Sequence, residues 1–474
     1  MKVTEKILQF GEGNFLRAFI DAFVDKLNQQ SIFNGSIVVI QPIEAGMADL
    51  LNAQNGDYTV LLRGLEHGML KNETQKVTAI SRALNPYSEF AEYMDTMQNP
   101  DLRYVVSNTT EAGIQFLETD KLDDKPAAGF PGKITQLLLK RFEIFNGDPA
   151  KGFIFIPCEL IDDNGAELKK AVLQYARHWH LPETFITWVE TANYFTNTLV
   201  DRIVTGYPKD EIASITAQLG YEDKLVVTGE IFHFFAIEAS GAAKDALNRD
   251  LPFALAGLNV VVTDDVTPYK LRKVRILNGA HTMSVLAARL AGFETVGEMM
   301  KDDMFLSYIN QGIYNEIIPT LSLPKADLES FAASVSDRFS NPFIKHYLLS
   351  IALNSVSKFK ARVLPTIIDY IHIKNALPKV LTFSFAALIE FYGTNEANDD
   401  ADIVAFFSEE HAKVRGGEQS VHALVAHICA NTLLWGQDLN ALPHFTDQVV
   451  AYLCEMNECG IECALTNLLG DAYA

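Results

Sequence analysis

The feature that most constrains this 474-residue sequence is a short strand pattern that runs directly into a Gly-x-Gly turn near the N-terminus. The apolar pattern Lys6-Ile-Leu-Gln-Phe10 predicts a strand, and Gly11-Glu-Gly13 precedes an amphipathic helix that extends to about Leu27. Strand, glycine turn and helix form a phosphate cradle, because glycines let backbone amides approach a pyrophosphate closely. Leu16 replaces the third glycine of the usual fingerprint, and a Gly-x-Gly turn alone is a weak signal.

Two further strand patterns supply the context for this turn. Ser36-Ile-Val-Val-Ile40 ends at Gln41, the position from which a dinucleotide-binding domain contacts the adenosine ribose, and residues 103–107 end at Asn108. The polar residues from Asn108 onward suit either a ligand crevice or the cap of the next helix. Gln41 is neutral, so it leaves the choice between NAD and NADP open. The predicted coenzyme-binding residues are Phe10, Gly11, Gly13, Asn14, Phe15, Gln41 and Asn108.

The predicted secondary structure changes near residue 265, from strand-rich to almost wholly helical. Buried-strand patterns recur before it, at 151–157, 225–228, 232–238 and 258–263. Helical spacing dominates after it, at 305–317, 328–335, 343–353, 380–391, 403–407 and 421–434, with breaks at prolines and a Gly-Gly pair. We predict a sheet-rich α/β domain over 1–265 and a compact, mainly α-helical domain over 266–474.

Catalytic chemistry is predicted at the strip Lys273-Val-Arg-Ile-Leu-Asn278-Gly-Ala-His281. On an α-helix these three polar residues lie at roughly 0°, 140° and 80°, on one side. A lysine can pass a proton to a carbonyl oxygen, while an amide and an imidazole hold that oxygen. The alternative is a solvated helix start with an ordinary buried asparagine and histidine.

Composition excludes some partners. The net charge of −21 argues against general binding to nucleic acids or anionic membranes, and no apolar run approaches the roughly 20 residues of a membrane span. We expect a cytoplasmic protein with a small-molecule ligand; the sequence does not predict its oligomeric state. Five cysteines are too few and too unevenly placed for a disulfide framework, and we expect no metal site.

Two charged segments have open interpretations. Lys358-Phe-Lys-Ala-Arg362 concentrates positive charge in an acidic chain, as either a solvated face or an edge that recognises a carboxylate. Asp201-Arg202 is either a surface ion pair or an anchor in a substrate cleft.

The chain resembles the polyol-specific long-chain dehydrogenase/reductase family, which includes mannitol 2-dehydrogenase and the hexuronate reductases. Lys273-x4-Asn278-x2-His281 looks like the family signature. The similarity to the hexuronate branch extends over essentially the whole chain, through residues 10–19, 107–114, 156–161, 199–208, 268–270 and 337–342.

This resemblance implies an α/β N-terminal Rossmann-type NAD-binding domain over 1–265 and a mainly α-helical C-terminal substrate and catalytic domain over 266–474. It further implies NAD as coenzyme, no metal, and reversible reduction of D-tagaturonate to D-altronate. It assigns Lys273 as general acid/base, with Asn278 and His281 orienting the substrate oxygen. Asp201, Lys270, Lys358 and Arg362 are the expected substrate-binding residues.

Two positions depart from the polyol pattern. Leu160 stands where those enzymes carry an oxygen-holding asparagine, and Lys270 stands where they carry a glutamate. A cation suits a uronate better than a neutral polyol. The alternatives are a fructuronate (mannonate) or mannitol-type dehydrogenase of the same family, or a dinucleotide-binding regulatory protein without turnover.

Overall fold

The computed structural model describes residues 3–110 and 112–470, which divide into two compact units. Among the described residues, the first unit comprises 3–63, 70–110 and 112–266, and the second comprises 64–69 and 267–470. Residues 64–69, the tip of a hairpin, group with the second unit, where Gly68 N–H donates to Asp337 Oδ1 at 3.1 Å. Within the described ranges, no helix combines the length and apolarity needed to cross a membrane.

The strands lie in the first part of the chain: β1 (Glu5–Phe10), β2 (Ser36–Ile40), β3 (Tyr58–Glu66), β4 (Met69–Val77), β5 (Ile80–Leu84), β6 (Tyr104–Ser107), β7 (Ile154–Pro157), β8 (Tyr194–Phe195), β9 (Asn197–Asp201), β10 (Val204–Gly206), β11 (Val227–Glu230), β12 (Phe234–Glu238) and β13 (Val260–Thr263). The α-helices among them are α1 (Asn14–Arg17), α2 (Ile20–Gln29), α3 (Ala48–Ala53), α4 (Phe90–Asp95), α5 (Phe130–Ile144), α6 (Asn164–His178), α7 (Glu183–Ala192), α8 (Ile212–Leu219) and α9 (Gly241–Asp250). Short 3-10 turns cover Thr96–Gln98, Pro149–Lys151 and Phe253–Ala256.

A parallel six-stranded sheet organises the first unit, in the order β5-β2-β1-β6-β7-β8. Numbered along the chain within this sheet alone, the order is 3-2-1-4-5-6, which is the Rossmann arrangement. Ile37 and Val39 belong to the core on one face, and Val38 and Ile40 to the core on the other. Burial of both faces explains why the sequence of β2 is continuously apolar.

Two smaller sheets complete the first unit, in the orders β10-β11-β3-β4 and β13-β12-β9. Strands β3, β4, β5, β8, β9 and β10 were not predicted from the sequence. Many side chains of β4 are exposed, so it lacks the apolar run that identified the buried strands.

The second unit is helical: α10 (Thr267–Arg272), α11 (Gly279–Leu290), α12 (Val296–Met299), α13 (Asp303–Asn310), α14 (Lys325–Phe339), α15 (Leu348–Ala352), α16 (Ser355–Arg362), α17 (Leu364–Lys374), α18 (Lys379–Tyr392), α19 (Ala401–Arg415), α20 (Val421–Ala430), α21 (Thr432–Trp435), α22 (Phe445–Cys459) and α23 (Ile461–Leu469). π-Helical turns cover Lys273–Asn278 and Gln311–Ile317, and 3-10 turns cover Ile318–Thr320 and Leu439–Ala441. Helix α18 is buried on nearly all sides, as expected of a core helix. Glu316 caps it by accepting the N–H groups of Val380 and Leu381, both at 2.9 Å.

Two sequence predictions differ from the structure of this unit. The helix predicted over 343–353 is reduced to α15, because the backbone before it pairs with residues 294–296: Val296 N–H donates to His346 O and Leu348 N–H to Glu294 O, both at 2.9 Å. Tertiary pairing therefore overrides the helical spacing. Cys459 and Cys463, for which no disulfide was predicted, form a disulfide across the junction of α22 and α23.

Candidate active site

The glycine turn follows β1 at the carboxyl edge of the six-stranded sheet. Gly11 has φ +118°, its N–H donates to Ile40 O at 3.1 Å, and a Cβ there would lie 3.0 Å from Asn108 O. Glycine is therefore required at this position both by conformation and by space. A Cβ at Gly13 would meet nothing within 4 Å, so the turn leaves open space there for a ligand.

Buried side chains hold this turn from the protein side. Gln9 Nε2 donates to Gly11 O at 3.1 Å, and Arg17 Nε donates to Glu12 O at 3.1 Å. Arg17 Nη2 also donates to Asn14 Oδ1 at 2.7 Å. Burial lowers the pKa of Arg17. The predicted single helix after the turn is interrupted, with α1 ending at Arg17 and α2 starting at Ile20.

The structure brings several predicted coenzyme-binding residues to this edge. Asn108 N–H donates to Phe10 O at 3.1 Å, and its Nδ2 donates to Cys158 O at 2.6 Å, so the ends of β1, β6 and β7 are joined where the strand order reverses. Ligands of open α/β sheets bind at this point of reversal. The Phe10 ring instead packs in the core against Tyr93 and Phe130, which leaves only its backbone at the edge. Phe15 is half-buried and stacks on Phe19.

Glu159 is a residue of this edge that the sequence analysis missed. It is buried, and its carboxylate accepts from Ser107 Oγ at 3.1 Å and from Thr109 N–H at 3.0 Å. Burial raises the pKa of Glu159. Glu159 thus fixes the loop that carries Asn108, whereas neighbouring Leu160 is exposed; Glu111 of the same loop lies outside the described residues.

Asp201 and Arg202 are both buried, so the surface ion-pair alternative is wrong. Arg202 donates to the backbone oxygens of Ala18 at 2.6 Å, Phe232 at 3.1 Å and Ile231 at 3.2 Å. Burial lowers the pKa of Arg202 to about 10. Arg202 is therefore a structural residue of the first unit.

In the second unit, the residues from Lys273 to Asn278 form a π-helical turn between α10 and α11. On the α-helix predicted from the sequence, Lys273, Asn278 and His281 are spread over about 140° around the axis. In a π-turn, residues i and i+5 are joined by a backbone hydrogen bond and lie one turn apart. Lys273 and Asn278 therefore lie one above the other, and His281 follows Asn278 at i+3 on α11. The π-turn therefore brings the three residues into a narrower angular range around the helix axis than an α-helix would.

His281 presents an unpartnered nitrogen on this face. Its ring stacks on Phe339 with centroids 4.0 Å apart, and its Nε2 is closed off from solvent without a hydrogen-bond partner among the described residues. The pKa of His281 is lowered to about 3, mainly by burial and secondly by nearby His346. At neutral pH His281 is therefore an uncharged imidazole that can donate or accept a hydrogen bond. The Asn278 side-chain amide also makes no hydrogen bond to the described residues.

Cationic side chains surround this histidine. Arg338, Arg362 and Lys358 each lower the pKa of His281 in addition to His346. The backbone of Arg362 lies close to α11, since a Cβ at Gly279 would meet Arg362 O at 3.4 Å. Lys358 and Arg362 were predicted from the sequence as candidate carboxylate-binding residues. Arg338 was included only in the resembling segment 337–342, and His346 was not predicted.

Lys358 and Arg362 are half-buried like charges at i and i+4 on α16. Lys358 Nζ donates to Ile351 O at 2.8 Å, and Arg362 Nη1 lies 3.4 Å from Thr282 Oγ1. Burial lowers the pKa of both groups, and the described residues provide neither with a carboxylate at ion-pairing distance. A desolvated like-charge pair costs stability, so an anion would be stabilised here.

The Rossmann sheet with its glycine turn, together with the helical unit carrying the lysine, amide and imidazole, defines a dehydrogenase of the two-domain type. Sequence profiles agree: residues 5–249 match the mannitol dehydrogenase Rossmann domain and residues 265–457 match the mannitol dehydrogenase C-terminal domain. The chain belongs to the mannitol dehydrogenase family.

Relatives include proteins named altronate oxidoreductase. The one from Bacillus subtilis (strain 168) is 45% identical over 462 residues, covering 97% of this chain and 94% of the relative. The one from Escherichia coli O139:H28 is 45% identical over 471 residues, covering 98% and 97%.

Solved structures support the fold. D-sorbitol dehydrogenase gives a TM-score of 0.78 at 22% identity, covering 98% of this chain and 95% of that one. Pseudomonas fluorescens mannitol 2-dehydrogenase, solved with NAD and D-mannitol, gives a TM-score of 0.65 at 21% sequence identity. The match covers 99% of this chain and 95% of that one.

Proposed function

We propose that this protein interconverts D-tagaturonate and D-altronate with NAD(H) as coenzyme. The near full-length relatives named altronate oxidoreductase support this substrate pair. The observation that carries the proposal is the cation pair Lys358 and Arg362 beside His281, because a neutral sugar has no charge to offset it. NAD(H)-linked sugar-acid chemistry agrees with a cytoplasmic enzyme.

The coenzyme fits the carboxyl edge of the first unit. Gly11, Gly13 and Asn14 would hold its pyrophosphate, and Asn108 would contact the neighbouring ribose. The open space at Gly13 leaves room for the pyrophosphate. When bound, NADH supplies the hydride that reduces the ketone carbon.

The second unit supplies the acid and the hydrogen bonds. Lys273 gives its proton from Nζ to the ketone oxygen during reduction and takes it back during oxidation. Asn278 and His281 donate hydrogen bonds to the same oxygen, each worth about 2–4 kcal/mol as negative charge develops. His281 cannot serve as the acid at neutral pH, because its pKa of about 3 leaves it uncharged.

The substrate carboxylate is held by Arg362, whose planar guanidinium matches both oxygens, with Lys358 as a second cation. Lys270, one helical turn before Lys273, is a further proposed contact for the anionic substrate. Asp201 is a proposed hydrogen-bond acceptor for substrate hydroxyls.

The test is a comparison of initial rates with purified protein, following NADH absorbance. D-Tagaturonate, D-fructuronate and D-fructose are offered in parallel. A kcat/KM for tagaturonate at least tenfold above the others supports the proposal. Preference for fructuronate or fructose instead identifies the mannonate or mannitol-type activity, and NADH binding without consumption identifies a non-catalytic protein.

A further inference from the structure

Cys459 and Cys463 are joined where the helices α22 and α23 of the second unit meet. Cys459 ends α22, and Cys463 is the third residue of α23, with Gly460 between the two helices. Gly460 has φ +85°, a left-handed conformation that glycine adopts at little cost. The Cα atoms of the two cysteines lie 5.7 Å apart, within the range that a disulfide needs. The backbone at this junction therefore suits a bond between the pair.

The pair is accessible to reagents in solution. Cys459 is exposed and Cys463 is half-buried, as is Cys454, whereas Cys158 and Cys429 are buried. Burial raises the pKa of Cys158 and raises that of Cys429 to about 12, which keeps both as unreactive thiols. Small thiols and disulfides in water therefore reach the pair and, in part, Cys454, but not the two buried cysteines.

The surroundings of the two sulfurs decide which one leaves when the bond breaks. Cys463 lies in the first turn of α23, a helix of nine residues whose N-terminus stabilises negative charge. Asn467 Nδ2 also donates weakly to the Cys463 sulfur, at 4.0 Å. An incoming thiolate therefore attacks the exposed sulfur of Cys459, and Cys463 leaves as the stabilised thiolate.

This bond contributes little as a structural crosslink. The two cysteines are four residues apart, so their bond removes little conformational entropy from the unfolded chain. Helix α23 is also attached in other ways: Ala464 and Leu465 are buried, and Asn467 Nδ2 donates to Glu455 Oε1 of α22 at 2.5 Å. The cytoplasm, which is the compartment of the proposed function, keeps most thiols reduced, and disulfides that form there are usually redox-sensing or catalytic. Exposure, short spacing and compartment together favour a bond that opens and closes.

We propose that Cys459 and Cys463 form a reversible redox site that exchanges with small thiols and disulfides, and that the closed bond clamps the start of α23 onto α22. This rests on the proposed function only for the cellular compartment.

The exchange proceeds in two displacements. A small thiolate attacks the Cys459 sulfur, the bond to Cys463 breaks, and Cys463 leaves as a thiolate. A second small thiolate attacks the sulfur now attached to Cys459, which releases a small disulfide and the Cys459 thiolate. Each cysteine thiolate then takes a proton from water. Closure is the same sequence in reverse, with the small disulfide as the oxidant.

Opening the bond should loosen the first turn of α23. A helix of nine residues is marginal on its own, so α23 depends on contacts with its neighbours. Thr466 Oγ1, which lies 3.6 Å from Met304 Sδ of α13, and Asn467 hold its second half. The disulfide holds its first turn, so the backbone amides there should exchange with solvent faster after reduction.

The test counts the free thiols of the native full-length protein after equilibration in glutathione buffers of different reduced-to-oxidised ratios. Samples are quenched with acid, alkylated under denaturing conditions and analysed by mass spectrometry, and hydrogen exchange in α23 is measured on parallel samples. Cys459→Ser and Cys463→Ser each remove the bond. Cys454→Ser is the matched control, because it removes a nearby half-buried cysteine and leaves the pair intact.

Wild-type protein is expected to pass from five alkylated cysteines in reducing buffer to three in oxidising buffer, with the new bond between residues 459 and 463. Reduced glutathione should reverse the change, and the first turn of α23 should exchange at least about threefold faster in the reduced protein. Cys454→Ser should show the same transition with one thiol fewer. Cys459→Ser and Cys463→Ser should show the faster exchange in both buffers.

Three results would overturn the inference: five free thiols in every buffer, a bond that resists reduction while the protein stays folded, or exchange in α23 that does not depend on the bond. None of these readouts uses a sugar or a coenzyme. Failure to reduce tagaturonate would therefore overturn the proposed function without affecting this result.

Discussion

Lys273 opens and Asn278 closes a single π-helical turn, so these two residues lie one turn apart on the same face. On a regular α-helix the two positions would be separated by about 140° around the helix axis. The extra residue of this turn is therefore part of the proposed active site.

Replacement of Lys273 tests the proton-transfer role. Lys273→Ala should lower kcat by at least about a thousandfold, because neither Asn278 nor neutral His281 replaces the acid. The NADH dissociation constant, measured by fluorescence, should change little, since the proposed pyrophosphate contacts come from the glycine turn. Equal losses in turnover and NADH affinity would contradict the assigned role.

Insertion of one alanine after Val274 tests the spacing within the π-turn. Asn278 then follows Lys273 at i+6, which on an α-helix places the two about 120° apart and rotates Lys273 away from Asn278 and His281. We expect kcat/KM to fall about a hundredfold or more while the circular dichroism spectrum stays helical. Val274→Ala keeps the residue count and should stay within about threefold of wild type. An insertion variant as active as Val274→Ala would show that the spacing is unimportant.

The two glycines of the turn should respond differently to alanine. Gly11→Ala places a Cβ at φ +118° and 3.0 Å from Asn108 O, so it should destabilise the first unit by about 1–3 kcal/mol. Gly13 has φ −66° and open space, so Gly13→Ala should leave the melting temperature unchanged and still weaken NADH binding. Thermal unfolding and NADH titration of both variants separate these effects. Unaltered NADH affinity in Gly13→Ala argues against a pyrophosphate at that position.

Loss of the Arg362 guanidinium on α16 should affect acidic substrates selectively. Arg362→Met is expected to raise the KM for D-tagaturonate at least about tenfold, because the carboxylate loses its bidentate partner. Any activity on D-fructose should be unchanged or increased. Lys360→Met is the control, since Lys360 is an exposed cation two residues away. A parallel loss on both substrates would assign Arg362 a structural role instead.

Glu316 links pH to the stability of the second unit. Burial raises its pKa from 4.5 to about 7 despite the two backbone N–H groups it accepts. Because the pKa of Glu316 is higher in the folded than in the unfolded state, protonated Glu316 stabilises the fold. This stabilisation is fully present below pH 4.5 and is lost as pH rises through 7. The free energy of unfolding falls by on the order of 3 kcal/mol at most.

Urea unfolding at pH 4.5, 6 and 8 checks this linkage. Glu316→Gln, uncharged throughout, should lose less stability than wild type as pH rises. Glu329→Gln, at a carboxylate that is 44% exposed, should keep the wild-type dependence. Identical pH dependence in all three proteins would exclude Glu316 as the titrating group.

Sequence patterns predicted the parallel sheet, the helical second half and the lysine, amide and imidazole strip, because these rest on local periodicity and residue type. They did not predict the π-turn, since a one-residue insertion leaves the apolar spacing of residues 276–283 nearly unchanged. Gln41 shows a second limit: its place after β2 was evident, but only the folded loop shows its amide bonded to Ile43, Glu44 and Ala48. The contacts around His281 likewise bring together residues far apart along the chain, such as Arg338 and Arg362.

The most direct test of the proposed function combines NADH loss with product identification. Wild-type protein is incubated with D-tagaturonate and NADH, the absorbance decrease is followed, and the sugar acid is identified by NMR. We predict one D-altronate formed for each NADH consumed, with little reaction when NADPH replaces NADH. Absence of D-altronate while the protein still binds NADH would contradict the assignment of this chain as a tagaturonate-reducing enzyme.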